Sequence, residues 1–213
     1  MNPLLEQLCG VMQGLRAPWA ICGGMAVDLY LGRATRPHGD VDLCVVEDDR
    51  AQVLRHVLDR GWHVCEFRGN GKVRPLDAQS VSERGRNLMC LQPEGGAVRF
   101  WPCDEEGLLW HEFLQEDMRV LNYFECLFSE RSGDELIPAG LAGARRAMDK
   151  AILRREGVPF LAPEIVLAYK ALRAQEAKHQ ADFAVLLPHL DAEQRAWLRQ
   201  CLSAGHPWLE ALA

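Results

Sequence analysis

The chain has 213 residues, 48% hydrophobic and 25% charged, which suits one large globular domain or a core domain with a smaller companion. A net charge of -6 lacks the overall basic footprint of a nucleic-acid binder and leaves only a local basic groove open to that role. No run approaches the roughly 20 apolar residues of a membrane span.

The N-terminal stretch MNPLLEQLCGVMQGLRAPW has no basic n-region, and Glu6, Gln7, Gln13 and Arg16 interrupt its apolar positions. That pattern predicts an amphipathic helix near residues 3–15 rather than a signal peptide. A short strand in PWAIC follows, then a helix begun by glycines, GGMAVDLYLG, which Gly32 terminates. DVDLCVV reads as a strand and EDDRAQVLRHVLDRG as a helix ending at Gly61. Strands are predicted in WHVCEFR, GKVRP, NLMCLQP and AVRFW, with residues 68–86 loop-rich overall, and VLNYFECLF is the strongest late strand.

From about Gly140 the pattern turns helical through LAPEIVLAYKALRAQEAKH, DFAVLLPHL and DAEQRAWLRQCLSA, with Pro188 separating the last two. The expected class is α+β: a small mixed β-sheet flanked by helices over 1–139, then a helical C-terminal region over 140–213. The eight cysteines form no CxxC pair, and several sit in apolar runs. They predict buried reduced thiols in a cytoplasmic protein rather than zinc or disulfides.

The segment HGDVDLCVV poses an electrostatic problem. Alternation along a strand puts Asp40 and Asp42 on one face and Val41 and Leu43 on the other. Like charges held side by side are costly unless a positive charge sits between them. A divalent cation answers that, and a solvated strand end is the competing reading.

The wider stretch ICGGMAVDLYLGRATRPHGDVDL decides between them. It resembles the signature of the DNA polymerase beta-like nucleotidyltransferases, most of all the aminoglycoside and lincosamide nucleotidyltransferase group. The segments VPFLAPEIVLAYKALRAQEAKHQADFAVLLPHL and HPWLEAL resemble the C-terminal part of bacterial nucleotidyltransferase-like proteins, whereas residues 62–118 match weakly.

That resemblance implies transfer of a nucleoside monophosphate, AMP from ATP or the equivalent from another nucleoside triphosphate, to a hydroxyl of a small molecule such as an antibiotic. The helical region would cover the nucleotide cleft. Two Mg²⁺ ions about 3.5–4 Å apart clamp the attacking and leaving oxygens in such chemistry, and hard cations take carboxylate oxygens. Asp40 and Asp42 are the expected ligands, and Gly23 and Gly24 let helix N–H groups approach the phosphates. The third ligand and base is assigned to Glu125, a lone acid in an apolar strand, with Asp77 and Glu66 as rivals. Other acceptors, a protein or tRNA, and a non-catalytic nucleotide-binding module are the alternative readings.

Arg33, Arg36 and His38 either bind the triphosphate or shape their loop, arginine being suited to phosphate by its planar fork. Lys170, on an apolar-rich helix, needs an anion if it faces inward, and in similar proteins a lysine from this part reaches the phosphates. A side chain snorkelling to solvent is its competing reading. Asp28 is expected to bond to the following loop, and Lys178 with Asp182 to form a surface ion pair one turn apart. Trp101, Trp110 and Trp208 are expected in the core ahead of a role in an acceptor or base pocket.

Overall fold

The opening helix, α1 (Pro3–Met12), starts where Asn2 accepts the Leu4 N–H at 2.9 Å and Pro3 supplies a preset φ. It buries Leu4, Leu8 and Met12 at four-residue spacing. It stops sooner than the sequence pattern predicts because Gly14 turns the chain with a φ of 82°. The structure is a computed structural model describing residues 2–114, 120–141 and 143–212.

β1 (Trp19–Cys22) runs straight into α2 (Gly23–Leu31), which ends where the Gly32 N–H donates to the Asp28 carbonyl at 2.8 Å. β2 (Asp42–Val46) is joined by one 3₁₀ turn to α3 (Arg50–Leu58). β3 (His63–Gly69) and β4 (Lys72–Leu76) form a hairpin on Asn70–Gly71, both at positive φ. β5 (Leu88–Leu91), β6 (Val98–Pro102), β7 (Leu109–Phe113) and β8 (Tyr123–Ser132) follow, then β9 (Glu135–Ile137), β10 (Arg146–Ala147) and the single turn α4 (Met148–Ala151). A second hairpin, β11 (Ile152–Arg155) and β12 (Val158–Leu161), precedes α5 (Pro163–Ala171), α6 (Ala177–Leu186) and α7 (Ala192–Cys201).

The chain divides into two compact units, Met1–Ala20 with Pro37–Ser129, and Ile21–Arg36 with Glu130–Ala213. In the first, the strand order is β2-β8-β5-β3-β4-β7-β6, with β2 parallel to β8 and every other pair antiparallel. β2 is apolar after Asp42 and buried on both faces, as a parallel central strand must be. In the second unit, β12 lies between β1, parallel, and β11, antiparallel, while the end of β8 pairs with β9 and β9 with β10. α5 is buried almost throughout, and Asp191 and Gln194 close a capping box on α7.

The expected α+β class holds. Three local expectations are corrected. β2 begins at Asp42, so Asp40 and Val41 precede the strand. LWHEF is a strand that the sequence pattern did not show. The region after Gly140 carries β10, β11 and β12 ahead of its helices, the β11–β12 hairpin being turned by Glu156 and Gly157 at φ of 50° and 84°. All eight thiols are free, five of them buried. No helix among the described residues is long and apolar enough to cross a membrane.

Candidate active site

The parallel pairing of β2 with β8 sets Asp42 directly opposite Glu125. The Glu125 N–H donates to the Val41 carbonyl at 3.0 Å, which pins the register at this point. Directly paired residues point to the same face of a sheet, so the two carboxylates share one. Asp40 is exposed and lies two residues before Asp42, while Asp42 and Glu125 are half-buried. Burial pushes the Glu125 carboxyl above its ordinary range; the Tyr123 hydrogen bond opposes the shift and the Asp40 charge adds to it.

Tyr123 was not singled out by the sequence. Two residues before Glu125 on the same strand face, it donates its hydroxyl to Glu125 Oε1. Burial and the neighbouring carboxylates of Glu125, Asp42 and Asp40 keep that phenol protonated, so it remains a donor. Among the described residues no three His, Cys, Asp or Glu side chains already converge as a cation cage. The donor set at Asp40, Asp42 and Glu125 is nonetheless all hard oxygen, the chemistry that Mg²⁺ takes.

The rival carboxylates occupy other places. Register runs from Glu66 to Leu88 and from Leu88 to Cys126, so Glu66 points to the face opposite Glu125. It is fully buried and accepts bonds from Arg68, Arg74, the Ser82 hydroxyl and the Glu83 N–H at 2.6–2.9 Å. Asp77 is exposed and closes a turn, accepting from the Gln79 N–H and the Ser80 hydroxyl. Trp101 and Trp110 pair across β6 and β7 on the face away from Glu125, and Trp208 is buried and stacked on Phe183 with ring centroids 4.2 Å apart.

In the second unit, Gly23 takes a φ of 64°, a backbone conformation natural to glycine, and it opens α2 together with Gly24. Cys22 supplies no side-chain cap there. The following loop is organised as expected by Asp28, which accepts from the Thr35 N–H at 2.9 Å and the Thr35 hydroxyl at 2.6 Å. Arg33 is exposed, and His38 is half-exposed.

Arg36 and Lys170 meet on one carboxylate. Asp182, only 2% exposed, lies 2.7 Å from Lys170 Nζ and 3.2 Å from Arg36 Nη2. The expected Lys178–Asp182 surface pair is therefore wrong: Lys178 pairs with Glu176 and Asp182 turns inward. Burial works against the Asp182 charge, but the two cations outweigh it and hold the carboxyl below its ordinary range. Asp182→Ala would leave the buried Lys170 ammonium facing a gap, and a loss of about 3–5 kcal/mol is expected in urea unfolding. A loss below about 1 kcal/mol would show that solvent already screens the pair.

Residues 4–90 match the family model of aminoglycoside-2''-adenylyltransferase. A 2''-aminoglycoside nucleotidyltransferase of Klebsiella pneumoniae is 31% identical over 90 residues, 42% of this chain and 46% of that one, so the match spans under half of the relative. The crystal structure of ANT(2'')-Ia in complex with adenylyl-2''-tobramycin superposes with a TM-score of 0.53 at 17% identity, covering 93% of this chain and 94% of that one. This is the nucleotidyltransferase fold. Lincomycin-bound LnuA, a lincosamide antibiotic adenylyltransferase, shares it with a TM-score of 0.53 at 12% identity over 87% of this chain and 96% of that one. The sequence match supports the resemblance to the aminoglycoside nucleotidyltransferases over residues 4–90, and the likeness to LnuA is one of fold. The matched segment contains Gly23, Gly24, Arg33, Arg36, Asp40 and Asp42; Glu125 and Lys170 lie beyond it.

Proposed function

We propose that the chain is a nucleotidyltransferase that moves a nucleoside monophosphate, AMP from ATP, onto a hydroxyl of a small-molecule antibiotic. The observation that carries the reading is the Asp42–Glu125 register, which sets the acid in the apolar half of β8 beside an aspartate of the matched segment. Asp40, Asp42 and Glu125 would hold Mg²⁺, which supplies Lewis-acid stabilisation of charge on the phosphate oxygens.

The acceptor oxygen attacks the α-phosphorus in line, a new P–O bond forms and the bond to the β-phosphate oxygen breaks, releasing pyrophosphate. Glu125 takes the hydroxyl proton; its raised affinity for protons suits a base. Gly23 and Gly24 offer backbone N–H groups to the phosphates. Arg36 and Lys170, held together on Asp182, offer positive charge to the same anion, with Arg33 as a further phosphate-binding side chain.

The test is pyrophosphate release from ATP with Mg²⁺ across a panel of aminoglycosides and lincosamides, using nucleotide labelled at the α-phosphate. Label in a small product supports the proposal. Label in protein or tRNA redirects the acceptor, and no release with any acceptor refutes transfer.

A further inference from the structure

The face that carries Asp42 and Glu125 continues into a row of rings. Phe67, His111, Phe113 and Tyr123 make successive edge contacts, with centroids 5.7, 5.5 and 5.1 Å apart. Register places all of them on the same face: Met89 pairs with Glu125 and Cys65, Phe67 with Val73, and Val73 with Leu109 on the strand of His111 and Phe113. Three strands separate β7 from β8, so the Phe113–Tyr123 contact requires the sheet to curl over this face.

The last link of the row touches the reactive group. Tyr123, 4% exposed, gives its ring edge to Phe113 and its hydroxyl to Glu125. Phe113 itself is 47% exposed, a large apolar ring left open to solvent beside a group that needs an acceptor. A substrate whose hydroxyl reaches Glu125 therefore has Phe113 next to its flank.

Charge narrows what that flank is. Among the described residues that β3, β4, β5, β6 and β7 place on this face none is acidic, and the carboxylates of β2 and β8 there, Asp42 and Glu125, are the ones assigned to the cation. Glu66 and Glu112 of the same strands point the other way and are paired there with arginines. A polycation gains most from spread carboxylates, whereas an apolar ring substituent gains from stacking and desolvation on aromatic side chains.

Resting on the transfer reading above, the geometry points to Phe113 as the residue that selects the acceptor, through an apolar flank beside the reacting hydroxyl on a molecule of low positive charge. A polyamine is the disfavoured class. Phe67 and His111 back Phe113, and Tyr123 joins this shelf to Glu125.

Calorimetric binding to the full chain with Mg²⁺ and a non-hydrolysable ATP analogue tests this, with lincomycin as the amphipathic probe and tobramycin as the polycationic one. Lincomycin is expected to bind more tightly. Phe113→Ala should raise its Kd about tenfold and Phe113→Leu by less than about threefold, with the Kd of the ATP analogue unchanged. Tighter binding of tobramycin, no binding of lincomycin, or an unchanged Kd in Phe113→Ala would overturn the inference. The two readings fail separately: Phe113-dependent lincomycin binding without pyrophosphate release refutes transfer and leaves the shelf. Transfer to tobramycin with no lincomycin binding does the reverse.

Discussion

Asp42→Asn is expected to lower the rate of nucleotidyl transfer about 10²- to 10³-fold, the usual loss when one electrostatic partner of a phosphoryl-transfer site is removed. The substitution keeps the shape of the side chain, removes its charge and replaces one acceptor oxygen with an NH₂ donor. The thermal midpoint should shift by a few degrees at most. Activity lost with stability kept is the signature of a side chain held for chemistry. Initial rates beside a thermal melt check both halves; retained activity would sink the metal assignment.

Glu66→Gln is expected to do the opposite, destabilising the fold by about 3–5 kcal/mol, a fall in midpoint of roughly 6–20 °C. Glu66 receives Arg68 and Arg74, and its other oxygen holds Ser82 and Glu83 of the following loop. Glu47 and Arg50 grip the same loop: Arg50 donates to Ser82 at 2.8 Å, and Glu47 accepts the Gly85 N–H at 3.3 Å. The guanidinium of Arg50 is also 3.5 Å above the Phe128 ring.

Burial raises the proton affinity of Glu66, but the bonds from Glu83, Ser82, Arg68 and Arg74 outweigh it and hold the carboxyl below its usual range. A depressed folded pKa gives stability that is present above the unfolded value, about 4.3, and is lost as pH falls through the folded value. Urea unfolding should therefore show a wide gap between wild type and Glu66→Gln at neutral pH that narrows below about pH 4. A gap independent of pH would mean that Glu66 acts by shape rather than charge.

Local signals carried the glycine turn, the Asp-Val-Asp segment and α5 to α7, because each is defined by neighbours in sequence. The choice among Glu125, Glu66 and Asp77 depended on a parallel pairing between β2 and β8 with five strands looped out between them. No periodicity reports that register. Once it is known, alternation alone puts Glu66 on the wrong face.

Other misses have equally local causes. β11 and β12 turn on Glu156–Gly157, and a glutamate gives a weaker hairpin signal than asparagine or aspartate before glycine. β7 is half-exposed along its length and lacks a clean apolar alternation. Asp182 invited pairing with Lys178 one turn away, whereas tertiary packing brought Lys170 and Arg36 to it. Tyr123 was visible as a residue two before Glu125, but its hydroxyl's partner was not.

Whether Glu125 completes a cation site with Asp42 is tested most directly by Mn²⁺ titration, read by electron paramagnetic resonance, in the presence of a non-hydrolysable ATP analogue. Asp42→Asn and Glu125→Gln should each weaken Mn²⁺ binding about tenfold or more, while Asp77→Asn, in its exposed turn, should bind as wild type does. Wild-type affinity in Glu125→Gln, or a loss confined to Asp77→Asn, would contradict the site.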